Sequence, residues 1–392
     1  MRILFALPGL HKVHRGAEVA FESLARELAR TPGVEVTLMG AGVERPGEPY
    51  RFRTVRCIPR ERFEGLPSLP TLRTNDAYEE LTFAPGLFRA YAPAEYDVTC
   101  TCAYPFTNWV LRAGWRRRAR PAHVFITQNG DWPAHAGNSE YRFFSCEGLV
   151  CTNPEYFERN RARWRSTLIP NGVDTARFSP GAGNRARFGL PDGVPLALTV
   201  SALIGSKRVA EGIRCAAKVP GLHLVVAGDG QLRESVDKCG KELLGERYRR
   251  MTVTHDAMPD LYRSADVLLH MSRDESSSLT YLEALATGLP VVTHATPVTR
   301  WTFEDQAFLV DTADEEATAR ELSRALEAHS EAQVTARRAL ADRRFSWKAI
   351  AAKYLAFFEE VVAEQQRHQA APQPDQPGPE QVSGGARPSP PS

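Results

Sequence analysis

Val267-Leu268-Leu269-His270-Met271, then Ser272-Arg273-Asp274-Glu275-Ser276-Ser277-Ser278-Leu279-Thr280-Tyr281-Leu282-Glu283-Ala284-Leu285-Ala286-Thr287-Gly288-Leu289-Pro290-Val291-Val292, is the stretch that decides the fold. The apolar run Val267 to Met271 reads as a buried strand ending in a polar loop. A helix follows, and Gly288 with Pro290 stops it before another strand. Strand, helix and strand in this order build a parallel sheet, and open sheets of this kind bind ligands at the C-terminal ends of their strands. The backbone N–H groups of Ser277, Ser278 and Leu279 would open the helix and face an anion such as a diphosphate. Glu275 in the loop and Glu283 in an early turn would border one pocket, as acceptors for ribose or sugar hydroxyls. A structural alternative fits the same residues. Thr280-x-x-Glu283 matches a capping box, and Ser277 or Ser278 can cap the helix without any ligand.

Outward from this unit the alternation continues in both directions. Towards the N-terminus, strands are expected at Ile3 to Leu7, Val36 to Met39, Val98 to Cys102, Val124 to Thr127 and Leu149 to Thr152, with a helix carrying Val19, Ala20, Leu24, Ala25 and Leu28 on one face. Glu44 to Ala92 is Pro-rich and weakly periodic and receives no assignment. Turn chemistry at Ile169-Pro170-Asn171-Gly172-Val173-Asp174, Pro180-Gly181 and Pro191-Asp192-Gly193 marks a linker. Beyond it come strands at Leu196 to Ala202, Leu222 to Ala227, Met251 to Thr254, Val291 to Thr293 and Phe308 to Val310. A last helix starts at Phe345-Ser346-Trp347. The expected organisation is α/β, with two Rossmann-like doubly wound domains at 1–175 and 176–345, a helix at 346–366, and a disordered Pro-rich tail at 367–392.

The 392 residues exceed one comfortable core, and 43% hydrophobic with 24% charged residues is ordinary for a soluble globular protein. Lys plus Arg (49) nearly balances Asp plus Glu (47), which argues against nucleic acid as a partner. The first apolar run is too short for a secretory core or a membrane span, so a cytoplasmic location is expected. The seven cysteines include no C-x-x-C pair and are expected to be reduced. Arg112, Arg116, Arg117, Arg118 and Arg120 cluster beside Trp109 and Trp115. That region, Arg112 to Arg120, reads either as a solvated helix end or as a weak peripheral contact with the inner membrane face.

The spacing from Glu275 to Glu283, continuing to Val292, resembles the donor-site E-x7-E signature of family 4 glycosyltransferases, retaining enzymes of the GT-B fold. Arg15-Gly16-Ala17-Glu18 resembles their N-terminal glycine loop, Ile169 to Asp174 with Phe178-Ser179-Pro180 their interdomain signature, and Val226-Ala227-Gly228-Asp229-Gly230 a turn of their donor domain. The resemblance implies a nucleotide-sugar donor and a hydroxyl acceptor (glycan, lipid-linked or small natural product) in a cleft between two domains, with the last helix crossing back to the first. It implies that Glu275 contacts the transferred sugar and Glu283 the ribose. It further implies that Lys207 would neutralise the departing diphosphate, assisted by amides at Gly16 and at Ser277, Ser278 and Leu279. Two positions depart from the pattern. Many relatives carry an Arg where this chain has Ala202, for which Arg208 is the expected substitute in donor binding. Where relatives often carry a His, the chain reads Gln128-Asn129-Gly130-Asp131-Trp132. Gln128, Asn129, Asp131 and His135 are therefore the acceptor or sugar candidates, although Asn129-Gly130-Asp131 is also simply a good turn.

The chain contains no D-x-D, so a metal-independent enzyme without cofactor is expected. His11 and His14 flank the glycine loop without a third ligand, and no G-x-G-x-x-G follows the first strand, which sets a metal site and a nicotinamide dehydrogenase aside. Two readings of the same architecture stand beside the transferase: a sugar-nucleotide epimerase or hydrolase, and a non-catalytic nucleotide-sugar-binding protein.

Overall fold

The computed structural model describes residues 1–113, 120–137, 139–328 and 330–370. Two parallel sheets organise them. The first contains β1 (Arg2–Ala6), β2 (Glu35–Gly40), β3 (Arg51–Thr54), β4 (Val98–Thr101), β5 (Ala122–Ile126), β6 (Gly148–Cys151) and β7 (Ser166–Leu168), in the order β3-β2-β1-β4-β5-β6-β7. The second contains β8 (Leu196–Val200), β9 (His223–Ala227), β10 (Tyr248–Met251), β11 (Val267–His270), β12 (Val291–His294) and β13 (Phe308–Val310), in the order β10-β9-β8-β11-β12-β13. Both are doubly wound α/β sheets. Their strand order reverses between β1 and β4 in the first and between β8 and β11 in the second. The loops leaving those four strands diverge there, so each sheet opens a crevice at its switch point.

Burial explains the strands that were legible. β1, β5 and β6 read as largely apolar runs because helices cover both faces, β4 alternates apolar residues with buried threonines, and Ile3, Phe5, Val98, Val124 and Val150 are fully buried. Several elements depart from expectation. The unassigned Glu44 to Ala92 region holds β3 and a helix, Asn75–Ala90, which Thr74 caps through the N–H of Ala77 at 3.3 Å. Its buried face carries Glu79 and Glu80 beside Ala77, Phe83 and Leu87, so two carboxylates interrupt the apolar period, and Pro85 lies inside it. The strand expected at Met251 to Thr254 lies at Tyr248–Met251 instead. It is an edge strand whose Arg249 and Arg250 disguise it. The last helix, Trp347–Ala370, runs past the expected end at 366; the rest of the expected tail lies outside the described residues.

That helix packs on the first sheet. Trp347, Ile350, Tyr354, Phe357, Phe358 and Val361 join the core of Phe5, Phe21, Leu24 and Val150. Two crossings between the sheets are stitched together where Val173 N–H donates to the Phe345 carbonyl at 2.7 Å and Trp347 N–H to the Val173 carbonyl at 3.2 Å. Gly172 is required there, because a Cβ would lie 2.5 Å from the Trp347 ring. No described helix is long and apolar enough to cross a membrane. All seven cysteines are unpaired.

Candidate active site

The two switch points face each other across a cleft of about 1560 Å3. Its first wall comes from the loops after β1, β4 and β5, and its second from those after β8, β9 and β11. Among the sequence candidates, Gly16, Lys207, Glu275, Ser277, Ser278, Leu279, Glu283, Gln128 and Asn129 line it, as does Ala202.

Lys207 and Glu275 meet at the β8/β11 switch point. The ammonium donates directly to Glu275 Oε1, and His270 Nε2 lies 3.6 Å from the same oxygen. Burial lowers the His270 imidazole to about 4 and keeps it neutral. Its Nδ1 meets the Tyr281 hydroxyl at 3.1 Å, and Thr293 Oγ1 meets that hydroxyl at 2.8 Å, which orients the ring beneath the carboxylate. The Leu279–Thr287 helix opens at the cleft with Ser278 at its N-cap, and Ser278 makes no side-chain capping bond. The capping box is not formed either: Glu283 Oε2 accepts from the Tyr262 hydroxyl at 2.6 Å. Burial pushes the Glu283 carboxyl up to about 7 against the lowering effects of that bond and of Arg177. Across the cleft the Gly16–Leu28 helix is also uncapped by a side chain. A Cβ on Gly16 would meet no atom within 4 Å, so packing does not demand glycine there; the open space belongs to the cleft. Two uncapped helix starts with partly positive N-termini thus open onto the same cleft as the Lys207 ammonium, a suitable setting for an anion.

The loop before the helix is held from the first wall. Asn153 Nδ2 donates to the Ser276 carbonyl at 3.0 Å and Asn171 Nδ2 to the Ser277 carbonyl at 3.1 Å, while Gln128 Nε2 donates to Asn171 Oδ1. These amides fix the peptide planes that precede the helix N–H groups. Neither Asn153 nor the partner role of Asn171 was visible in the sequence, since both depend on the two walls meeting.

Three expectations are corrected. Arg208 does not line the cleft. It stands at φ 53 between a tight turn and the next helix, and its guanidinium binds Thr312 Oγ1 at 3.1 Å and the Thr312 carbonyl at 3.3 Å. Asp131 is buried and accepts from Asn160 Nδ2 at 2.7 Å, with Arg159 at 3.2 Å. It anchors a turn and does not reach the cleft. His135 points the same way, with Nδ1 on the Asp131 carbonyl at 3.0 Å and Nε2 facing Arg159 at 3.4 Å. The basic cluster also changes. Arg112 and Arg120 both pair with Glu147 and are mostly buried, whereas Trp115, Arg116, Arg117 and Arg118 lie outside the described residues. His11 is buried, with its ring nitrogens on the Val43 carbonyl and the Tyr50 hydroxyl.

Sequence reading missed several cleft residues. Arg177 lines the second wall, bound to Asp256 at 3.1 Å, and acts on Glu283 from the linker side. Glu18, Glu79 and Glu80 are buried in the first wall. Arg15 lies 3.3 Å from Glu79 and 3.7 Å from Glu18. Burial raises Glu18 to about 6 and Glu80 to about 8. Trp132 lines the first wall beside Asn129. Among the described residues no group of three or more His, Cys, Asp or Glu side chains is arranged to hold a metal ion.

Residues 14–177 match the family model described as Glycosyltransferase Family 4, and residues 183–342 the one described as Glycosyl transferases group 1. A lipopolysaccharide core biosynthesis glycosyltransferase, LpsE of Rhizobium meliloti, is 28% identical over 243 residues, 59% of this chain and 68% of that one. A D-inositol 3-phosphate glycosyltransferase of Mycobacterium tuberculosis is 27% identical over 328 residues, 75% of this chain but 64% of that protein's length. Among solved structures, sucrose-phosphate synthase from Thermosynechococcus elongatus superposes with a TM-score of 0.75 at 21% identity, covering 93% of this chain and 99% of that one. Anabaena HepE in complex with UDP-glucose superposes with a TM-score of 0.69 at 16% identity, covering 93% and 100%.

Proposed function

The chain belongs to the family 4 glycosyltransferases, and from that premise we propose that it is a retaining hexosyltransferase, moving a sugar from a nucleotide-sugar donor to an acceptor hydroxyl in the cleft. The observation that carries this reading is the Lys207–Glu275 pair at the β8/β11 switch point, in a cleft onto which two uncapped helix starts open. Lys207 and the N–H groups at Gly16 and Ser277 to Leu279 meet the diphosphate charge, with no metal or cofactor required. Glu275 accepts from hydroxyls of the transferred sugar, and Glu283 from the ribose. The acceptor oxygen bonds to the anomeric carbon on the face from which the diphosphate oxygen departs, and the acceptor proton passes to that departing oxygen. Catalysis then rests on positioning and on charge stabilisation as the bond between the anomeric carbon and the diphosphate oxygen breaks. Arg177, held at the cleft by Asp256, adds a second cation on the Glu283 side.

A thermal-shift screen with UDP-, GDP- and dTDP-sugars tests the reading, because a ligand that binds only the folded state raises Tm with concentration. The HepE complex with UDP-glucose makes that donor the first choice. A concentration-dependent rise is expected with at least one of them. Lys207→Gln should reduce the rise and cut turnover on the order of 100- to 1000-fold. No rise with any nucleotide sugar, or unchanged turnover in Lys207→Gln, overturns the proposal.

A further inference from the structure

We propose that Trp132 is the floor of an acceptor subsite for a pyranose ring, so that the acceptor is a carbohydrate whose C–H face packs on the indole. The inference rests on the glycosyl-transfer reading and names the class of molecule that accepts the sugar. Large hydrophobic side chains left exposed are scattered over this surface, from Val43 to Leu243; among the described residues, Trp132, 37% exposed, is the one of them that lines the cleft.

Its ring is held in place. The indole Nε1 donates to the Asn129 carbonyl at 3.1 Å. Tyr104 meets the indole edge-on at 6.3 Å between centroids and Tyr141 lies tilted against it at 5.1 Å. Gly130, at φ 114, leaves room for it, since a Cβ there would lie 2.7 Å from Trp132 Cδ1. Beneath the turn, buried Asp131 is tied to Asn160 and Arg159, which accounts for a carboxylate that does not reach the cleft. An exposed indole fixed from several sides loses little conformational freedom when it binds.

The residues beside it choose the occupant. Asn129 is exposed, and among the described residues its side-chain amide makes a long contact to Cys102 Sγ at 3.8 Å. Gln128, in the same turn, reaches the Asn171 amide that holds the donor loop. An apolar face next to amides that bond hydroxyls matches a pyranose, which presents axial C–H groups on one face and hydroxyls around its rim. A hydrocarbon chain would need a continuous apolar path, and the amides of Asn129 and Gln128 interrupt it.

Saturation-transfer NMR with methyl α-D-glucopyranoside, methyl α-D-galactopyranoside and methyl α-D-mannopyranoside, each with and without UDP, tests this on the full chain, with sorbitol as the ringless polyol. At least one pyranoside should receive saturation on the protons of one ring face, and sorbitol should not. Trp132→Ala should weaken binding about tenfold, the effect of losing on the order of 60 Å2 of apolar contact. Trp132→Phe, which keeps a ring and guards against misfolding, should retain most of it. Pyranoside binding unchanged in Trp132→Ala, no pyranoside binding to the wild type, or sorbitol binding as well as the pyranosides overturns the subsite. The nucleotide-sugar thermal shift of the same samples is judged separately: its absence with every nucleotide sugar in the wild type sinks the donor reading, whereas the pyranoside result without UDP still decides for or against Trp132.

Discussion

In the proposed transferase, Glu283 would link the electrostatics of the cleft to donor binding. Burial raises its carboxyl to about 7, so in the empty cleft it is half protonated at neutral pH. Ribose hydroxyls donating to it favour the carboxylate, and binding should therefore draw it into the ionised form. A group with a pKa of about 7 is roughly 9% ionised at pH 6 and 91% at pH 8. If the ionised form binds, Kd falls about tenfold over that range, equivalent to about 1.4 kcal/mol. The assay is titration calorimetry with the nucleotide sugar selected by the thermal screen, whose diphosphate diester does not titrate in this window. Repeating it at pH 7 in buffers of different ionisation enthalpy should show about half a proton released per molecule bound. Glu283→Gln should flatten the profile and bind no more tightly than the wild type does at pH 6. Glu18 at about 6 and Glu80 at about 8 ionise near the same range, and the variant separates them from Glu283. A pH-independent wild-type Kd with no proton release, or a slope that survives in Glu283→Gln, refutes the assignment.

Two stability predictions follow from buried groups. Glu80 is ordinarily ionised above about 4.5 but is held protonated to about 8, so the native state loses stability as pH rises between those values, by at most about 5 kcal/mol. Glu80→Gln, which can still accept from the Thr107 N–H, should raise Tm by several degrees at pH 8.5 and leave it nearly unchanged at pH 4.5; an equal shift at both would show that ionisation is not the cause. Gly148 in β6 seats the last helix, where a Cβ would lie 2.9 Å from Phe357 and 3.0 Å from Val361. Gly148→Ala should cost about 1–3 kcal/mol in urea denaturation, and an unchanged midpoint would mean that the helix is not closely seated.

How much was legible follows from where each signal resides. The Val267 to Val292 unit declared a parallel sheet because strand, loop, helix and stop are encoded within a few residues of one another, and the same holds for the Trp347 helix with its apolar face. Glu275, Glu283, Lys207 and Gly16 were picked out by short local motifs that resemble those of a known family, and all four line the cleft. The Asn75–Ala90 helix was not, because Glu79 and Glu80 occupy buried positions whose cost is met by Arg15 and the Thr107 N–H from distant segments. Arg208 and Asp131 were misjudged for the opposite reason. Their neighbours in sequence pointed to the cleft, while Thr312 in one case and Asn160 with Arg159 in the other hold them elsewhere.

By itself the sequence determined two α/β units and their order, since hydrophobic period and turn chemistry are local properties of the chain, while its resemblance to a known family picked out Gly16, Lys207, Glu275 and Glu283, which line the cleft. Only the tertiary structure decided which side chains face the cleft. That choice depends on partners more than a hundred residues away, as when Asn171 and Asn153 reach across to the carbonyls of Ser277 and Ser276. It likewise decided that Trp132 stays exposed, because an aromatic residue in a sequence reads equally as core or surface until its neighbours close around it or leave one face open.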